Sequence, residues 1–214
     1  NLFMALGMLG LSAELCGQLL IPIGTVYDLF VCRGLDALIY ALYSGAKFIF
    51  AGMPSGITLS PEGGAHQSTV TPSLGVELPT LNAYEPCFAP ELEWILLEAI
   101  RQCCDREHGR ATYLRLSPRS IDQNLLAHAL RRLGVAELRR QTLAGGYRLM
   151  DWRDGGPDVD RNYLVYIAAS GTLIPEAVEA AVYLHEEGVA ATVLNLTSPR
   201  RLFEAWKAAR AGGP

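Results

Sequence analysis

The sequence lacks the features that mark several large classes of protein. Its five cysteines form no C-x-x-C pair and no zinc-binding spacing, and the adjacent Cys103 and Cys104 are poor disulfide partners for each other. The odd number of cysteines favours reduced thiols in a cytoplasmic protein. Basic residues do not cluster among aromatic ones, and the net charge is −4, so nucleic acid is not expected as a partner.

Long uninterrupted apolar runs are also missing. Residues 1–23 carry a single charge, Glu14, but glycine, serine, glutamine and proline interrupt their apolar residues. A membrane-spanning helix needs about 20 consecutive apolar residues, and a signal peptide begins with basic ones. We therefore expect a buried helix here and no membrane partner. Because the chain begins inside this helix, we expect a fragment of a longer protein.

What the sequence does contain is a repeated alternation of strand and helix signals. Apolar residues at helical spacing predict helices over Leu2–Leu15 and Leu29–Tyr43, and Pro90 predicts the start of another. Short apolar runs predict strands at Leu20–Val26, Lys47–Gly52, Asn82–Tyr84, Ala111–Leu116, Tyr163–Ala169 and Ala190–Leu196, and a charged helical stretch, Asp122–Arg140, leads to Tyr147–Met150. This alternation predicts an α/β fold whose mainly parallel sheet has helices on both faces.

A polar stretch rich in glycine, proline and aspartate, residues 152–161, predicts a domain boundary. A length of 214 residues corresponds to one full domain and part of another. We therefore predict a first domain over residues 1–151 and a linker over 152–161. Residues 162–214 would form the incomplete start of a second α/β domain, with one βαβ unit.

The stretch with the most chemical character is the loop TLSPEGGAHQS, residues 58–68. It follows a predicted buried strand and offers a carboxylate (Glu62), two glycines and an imidazole (His66) within five positions. Glycines let a backbone approach a ligand closely, and loops that follow strands carry the chemistry of α/β folds. Alone, the pattern is a weak signal, since many such loops are only turns.

A second stretch, PIGTVYDLFVCRGLD at residues 22–36, gives the loop its context. The order of this stretch, the next strand and E-G-G-x-H resembles the pyrimidine-binding domain of thiamin-diphosphate enzymes of the transketolase superfamily. Within it, the likeness is greatest to the single-chain decarboxylating first component of the pyruvate dehydrogenase complex. The resemblance covers Asn1–Asp151, and Asn162–Leu196 resembles the opening of the superfamily's C-terminal domain.

The resemblance implies a role for five side chains. Tyr27 and Phe30 match the aromatic pair that holds the aminopyrimidine ring of thiamin diphosphate, and Arg33 matches an arginine close to that pocket. His66 matches the active-site histidine, which contacts the substrate, and Glu62 stands where members carry an acidic residue near the substrate. Stacking of a flat heteroaromatic ring on aromatic faces agrees with these assignments.

The resemblance implies an oxidoreductase that acts on a product of glycolysis. This enzyme would decarboxylate a 2-oxo acid such as pyruvate and pass the acyl unit to a lipoyl-bearing acyltransferase. The main alternative is transketolase-type ketol transfer between sugar phosphates, and a second alternative is a non-catalytic assembly paralogue. The family's glutamate on the pyrimidine nitrogen would precede Asn1, and ligands for Mg²⁺ would lie in the missing N-terminal part. The site would form in a homodimer or with that missing N-terminal domain, and this fragment alone would be inactive.

Simpler explanations stand beside each assignment. Tyr27 and Phe30 could be a core pair at a helix start, and Arg33 could form an ion pair with Asp36. His66 could be a loop histidine without a function, and Glu62 a turn or capping residue.

One departure from the transketolase pattern concerns the phosphate of a sugar substrate. Transketolases carry a serine–arginine pair for this phosphate near the sequence RLSPRS, residues 115–120, but Pro118 interrupts the pair here. Arg115 and Arg119 remain candidates for binding a carboxylate or phosphate. The interruption favours the 2-oxo acid over the sugar phosphate.

Overall fold

The computed structural model describes residues 2–63, 66, 68, 70–152 and 160–212. These residues form two compact units. The first comprises Asn1–Tyr84 with Glu93–Pro118, and the second comprises Glu85–Leu92 with Arg119–Pro214.

The first unit is built around a parallel sheet with the strand order β1-β2-β4-β3, flanked by helices. Its strands are β1 (Ile23–Val26), β2 (Ile49–Gly52), β3 (Leu81–Tyr84) and β4 (Ala111–Arg115). Its helices are α1 (Leu2–Leu9), α2 (Leu11–Cys16), α3 (Leu35–Tyr43), α4 (Thr71–Glu77) and most of α5 (Ala89–Cys104). The predicted α/β fold with a mainly parallel sheet is thereby confirmed.

The two central strands explain why this sheet is stable. Every residue of β4 is buried, as expected for a strand that is covered on both faces. Ile49 of β2 is also buried, and Phe48, Leu81 and Tyr113 belong to one hydrophobic core cluster. Because all four strands are parallel, their carboxyl ends lie along one edge of the sheet, where α/β folds place their binding sites.

Two predicted helices differ from those observed. The helix expected over Leu2–Leu15 is broken at Gly10, whose φ of 79° is left-handed and whose missing side chain leaves room for the guanidinium of Arg106. The helix expected over Leu29–Tyr43 becomes α-helical only at Leu35, since a 3₁₀ helix, Asp28–Gly34, precedes it. Of the predicted aromatic pair, Phe30 lies in this 3₁₀ segment and Tyr27 immediately precedes it.

The second unit contains a three-stranded sheet with the order β5-β7-β6. Its elements are α6 (Ala127–Ala144), β5 (Gly146–Met150), β6 (Asp160–Ala169), α7 (Ile174–Glu186), β7 (Val189–Leu196) and α8 (Pro199–Ala211). Strands β6 and β7 are parallel, as the predicted βαβ unit requires, whereas β5 pairs antiparallel with β7.

The pairing of β5 with β7 joins residues on both sides of the predicted domain boundary. The two compact units therefore do not coincide with domains divided at residues 152–161. Most of that predicted linker lies outside the described residues, and the division into family domains stays a prediction. None of the described helices is both long enough and apolar enough to span a bilayer.

Candidate functional site

The aromatic pair lies directly after β1, at the carboxyl edge of the first unit's sheet. The amide of Phe30 donates to the carbonyl of Tyr27 (2.8 Å), which closes the first turn of the 3₁₀ helix. The ring centroids are 5.4 Å apart and the rings are tilted by 36°. The guanidinium carbon of Arg33 lies 4.3 Å from the centroid of Phe30, so its cation covers this ring. The predicted cofactor-binding side chains therefore form one cluster.

The glycine-rich loop brings its carboxylate and imidazole to the same cluster. The hydroxyl of Tyr27 donates to Oε2 of Glu62 (2.6 Å), although 35 positions separate the two residues. The rings of Tyr27 and His66 meet edge to face, with centroids 5.9 Å apart. Nδ1 of His66 lies 3.8 Å from Oε2 of Glu62. The structure thus unites the five residues singled out from the sequence in one cluster of side chains.

The local backbone explains how the loop reaches Tyr27. A 3₁₀ helix, Gly56–Glu62, carries Glu62 away from β2, and Gly63 then adopts a left-handed φ of 88°. This reversal lets the amide of His66 donate to the carbonyl of Gly63 (3.1 Å). Glycine is needed at this position because other residues disfavour a positive φ.

The electrostatics of the cluster suit an acid–base site. The side chains of His66 and Glu62 are 43% and 53% exposed, so part of each faces solvent. Nδ1 of His66 is itself buried and has no hydrogen-bond partner among the described residues. The hydrogen bond to Glu62 raises the pKa of the Tyr27 phenol, so Tyr27 remains a donor across the physiological range. The arrangement can bind a flat ring and exchange a proton beside it.

The described residues fit the pyrimidine ring of thiamin diphosphate in two respects. Tyr27 and Phe30 offer tilted aromatic faces, and Phe30 borders an apolar cavity of about 330 Å³. That cavity is also lined by Met4, Val26 and Phe50. Among the described residues, no group of three or more His, Cys, Asp or Glu side chains could hold a metal ion. The expectation that Mg²⁺ ligands lie elsewhere stays a prediction.

Sequence reasoning missed a buried polar cluster that is centred on Asp28. Asp28 lies between Tyr27 and Phe30 in the sequence, and its side chain is fully buried. Its carboxylate accepts hydrogen bonds from the hydroxyls of Tyr113 and Thr71, and Nη2 of Arg115 lies 3.5 Å from Oδ2. We call these four residues the Asp28 network. Burial and the carboxylate raise the pKa of Tyr113 far above its ordinary value, so its phenol remains a donor.

The two arginines considered for anion binding have different surroundings. Arg115 belongs to the buried Asp28 network in the first unit. In the second unit, Arg119 is bound by Glu176 (2.6 Å) and donates to the carbonyl of Thr172 (2.8 Å). Neither guanidinium is therefore directed only at solvent.

Comparison with known proteins finds similarity to transketolases. No family model matches the chain. The chain is 26% identical over 191 residues to the 6-deoxy-6-sulfo-D-fructose transketolase subunit SqwH of Clostridium sp. (strain MSTE9). The match covers 88% of this chain and 51% of the relative. The chain thus spans about half the length of the curated relative it matches.

Solved structures agree with this result. The transketolase of Leishmania mexicana superposes with a TM-score of 0.65 at 22% identity, over 97% of this chain and 27% of that one. The transketolase of Campylobacter jejuni gives a TM-score of 0.67 at 16% identity, over 87% of this chain and 26% of that one. The chain therefore has a transketolase-like α/β fold.

Proposed function

We propose that this chain is part of a thiamin-diphosphate-dependent enzyme of the transketolase superfamily that transfers a ketol unit between sugars. The observation that carries the proposal is the convergence of Tyr27, Phe30, Glu62 and His66 at the carboxyl edge of a transketolase-like sheet. The curated relative is named a transketolase subunit, which supports ketol transfer better than the decarboxylation expected from the sequence. Closeness to the pyruvate dehydrogenase component is not supported by these relatives.

When bound, thiamin diphosphate supplies an electron sink for cleavage of a carbon–carbon bond next to a carbonyl group. The chain's own residues provide the surroundings for that chemistry. Tyr27 and Phe30 orient the flat ring, and the guanidinium of Arg33 lies over the Phe30 ring. The Tyr27 hydroxyl fixes the carboxylate of Glu62, and the partly exposed imidazole of His66 can accept or return a proton.

The first experiment tests cofactor binding in the complete enzyme. Phe30→Ala removes one aromatic face, and we expect calorimetry to show affinity for thiamin diphosphate reduced by about tenfold, in line with the ~1 kcal/mol of an aromatic contact plus lost apolar area. Phe203→Ala is the matched control, because Phe203 stacks on Trp206 at the same three-residue spacing with centroids 5.9 Å apart in the second unit. Unchanged affinity in Phe30→Ala would remove the pocket assignment.

The second experiment identifies the reaction. Turnover of the complete enzyme is measured with xylulose and ribose phosphates, and separately with pyruvate and an artificial electron acceptor. We expect ketol transfer to be the faster reaction. Faster turnover of pyruvate would reverse the proposal in favour of the 2-oxo acid, and turnover of neither pair would indicate a non-catalytic paralogue.

One observation favours the 2-oxo acid as the second candidate. Arg119, the candidate for a sugar phosphate, has its guanidinium occupied by Glu176 and by the carbonyl of Thr172. A phosphate would have to displace the Glu176 carboxylate at 2.6 Å. A substrate without a phosphate group would leave this ion pair intact.

A further inference from the structure

We propose that Asp28 is a positioning residue that fixes the aromatic pair relative to the loop of Glu62 and His66. This inference rests on the proposed function, since it assigns Asp28 a task in the same site. Asp28 does not face the candidate ligand, because its side chain is fully buried. It acts through Tyr27, the residue before it in the chain, and through Phe30, two positions after it.

The geometry of the Asp28 network connects separate elements of the first unit. Asp28 begins the 3₁₀ helix of the aromatic pair, Thr71 begins α4, and Tyr113 and Arg115 belong to β4. Thr71 Oγ1 lies 2.6 Å from Oδ2 of Asp28, and the Tyr113 hydroxyl donates to Oδ1. One carboxylate therefore joins a segment that follows β1 to β4 and to a helix start.

A second link extends the network to the histidine loop. Oγ of Ser68 lies 2.6 Å from Oγ1 of Thr71 and also accepts from the Thr71 amide (3.3 Å). Ser68 is buried and lies two positions after His66. The chain of contacts Asp28–Thr71–Ser68 thus ties the backbone beside Tyr27 to the backbone beside His66.

The chemistry of the network favours a carboxylate at residue 28. Two hydroxyls and a guanidinium face its oxygens, and a guanidinium can only donate. An asparagine would offer these three groups one acceptor oxygen in place of two and would remove the negative charge opposite Arg115. The packing around Asp28 is also tight, because a Cβ on Gly52 would lie 2.6 Å from Oδ1 of Asp28 and 2.9 Å from the Tyr113 hydroxyl. Glycine at residue 52 therefore leaves room for the Asp28 carboxylate and for the tyrosine that donates to it.

Asp28→Asn in the complete enzyme tests the inference, with Glu91→Gln as the matched control. Glu91 is also fully buried and also accepts from a tyrosine, Tyr147 (2.6 Å), but it lies in the second unit. We expect both variants to change stability. Only Asp28→Asn should weaken binding of thiamin diphosphate, by about tenfold or more, because Tyr27 and Phe30 would then have to be ordered when the cofactor binds. Unaltered affinity in folded Asp28→Asn would overturn the inference.

A second measurement does not depend on the cofactor. Hydrogen–deuterium exchange of the cofactor-free protein should rise at residues 56–71 in Asp28→Asn and stay unchanged there in Glu91→Gln. A wild type that binds no thiamin diphosphate would refute the proposed function, and the exchange result would still decide whether Asp28 holds the loop. Unchanged exchange in Asp28→Asn would contradict that role.

A pair of milder variants applies if Asp28→Asn does not fold. Thr71→Val removes the hydroxyl that joins Asp28 to Ser68 while keeping the shape of the side chain, and Thr71→Ser retains the hydroxyl. We expect raised exchange at residues 56–68 and weaker cofactor binding in Thr71→Val, with both restored towards the wild-type values in Thr71→Ser. Equal behaviour of the two variants would show that the hydroxyl does no positioning.

Discussion

Replacing Gly52 with alanine tests the packing on which the candidate site depends. Gly52 ends β2, and its φ lies outside the left-handed region, so the backbone itself accepts alanine. The added Cβ would lie 2.6 Å from Oδ1 of Asp28 and 2.9 Å from the Tyr113 hydroxyl, both well inside van der Waals contact. Both neighbours are buried, so they cannot move into solvent.

The size of the effect follows from the two ways in which the protein can respond. If the neighbours shift together, the cost is that of overpacking a core, about 1–3 kcal/mol. If they separate instead, a buried donor loses its acceptor, which also costs about 1–3 kcal/mol. We therefore expect Gly52→Ala to lower the free energy of unfolding by about 1–3 kcal/mol.

Urea denaturation followed by circular dichroism measures this change, and hydrogen exchange of β2 and β4 locates it in the first unit. Gly34→Ala is the matched control, because a Cβ there meets no atom within 4 Å and φ is −103°. The control should alter stability by less than about 0.5 kcal/mol, as is usual for substitutions without a named mechanism. Equal stability of Gly52→Ala and the wild type would refute the tight packing around Asp28.

Two other predictions concern ionisable side chains. His66→Ala should lower kcat of the complete enzyme by about 10²-fold or more, because general acid–base groups contribute on this scale. The unfolding midpoint should change little, because the His66 side chain is partly exposed. Steady-state kinetics showing normal turnover would exclude His66 from the site. Burial raises the pKa of Glu91, so the stability that this group contributes is fully present below a pH of about 4.5, its ordinary pKa, and is lost as the pH rises through the raised pKa. Denaturation measured from pH 4 to 8 should therefore show a smaller pH dependence of stability in Glu91→Gln than in the wild type. Identical profiles would contradict the raised pKa.

Much of the fold could be predicted because strands and helices of this chain follow local patterns. The run from Lys47 to Gly52 is continuously apolar, and the observed β2 pairs with β1 and β4 at the centre of the sheet. The left-handed φ of 71° at Gly45 likewise follows the end of α3, as its position in the sequence predicts. Local signals of this kind depend on few distant residues.

The misses arise where a distant group decides the local structure. Nothing near Gly10 in sequence indicates that the guanidinium of Arg106 occupies the space beside it, yet that approach favours glycine and a break between α1 and α2. The antiparallel pairing of β5 with β7 is equally invisible, since a pattern predicts a strand but not its partner. At the site, the sequence predicted which side chains meet, whereas their roles stay predictions.

Asp28 shows what signal sequence reasoning could have used. It is the one charged residue in the apolar run VYDLFV, residues 26–31, and a carboxylate in such a run is expected to be buried only when it has partners. Its partners, Thr71 and Tyr113, lie 43 and 85 positions away, so no local pattern could name them. The charge alone, however, predicts that such partners exist. An isolated carboxylate next to an aromatic pair in the sequence thus predicts buried hydrogen-bond donors around that carboxylate before any coordinates are known.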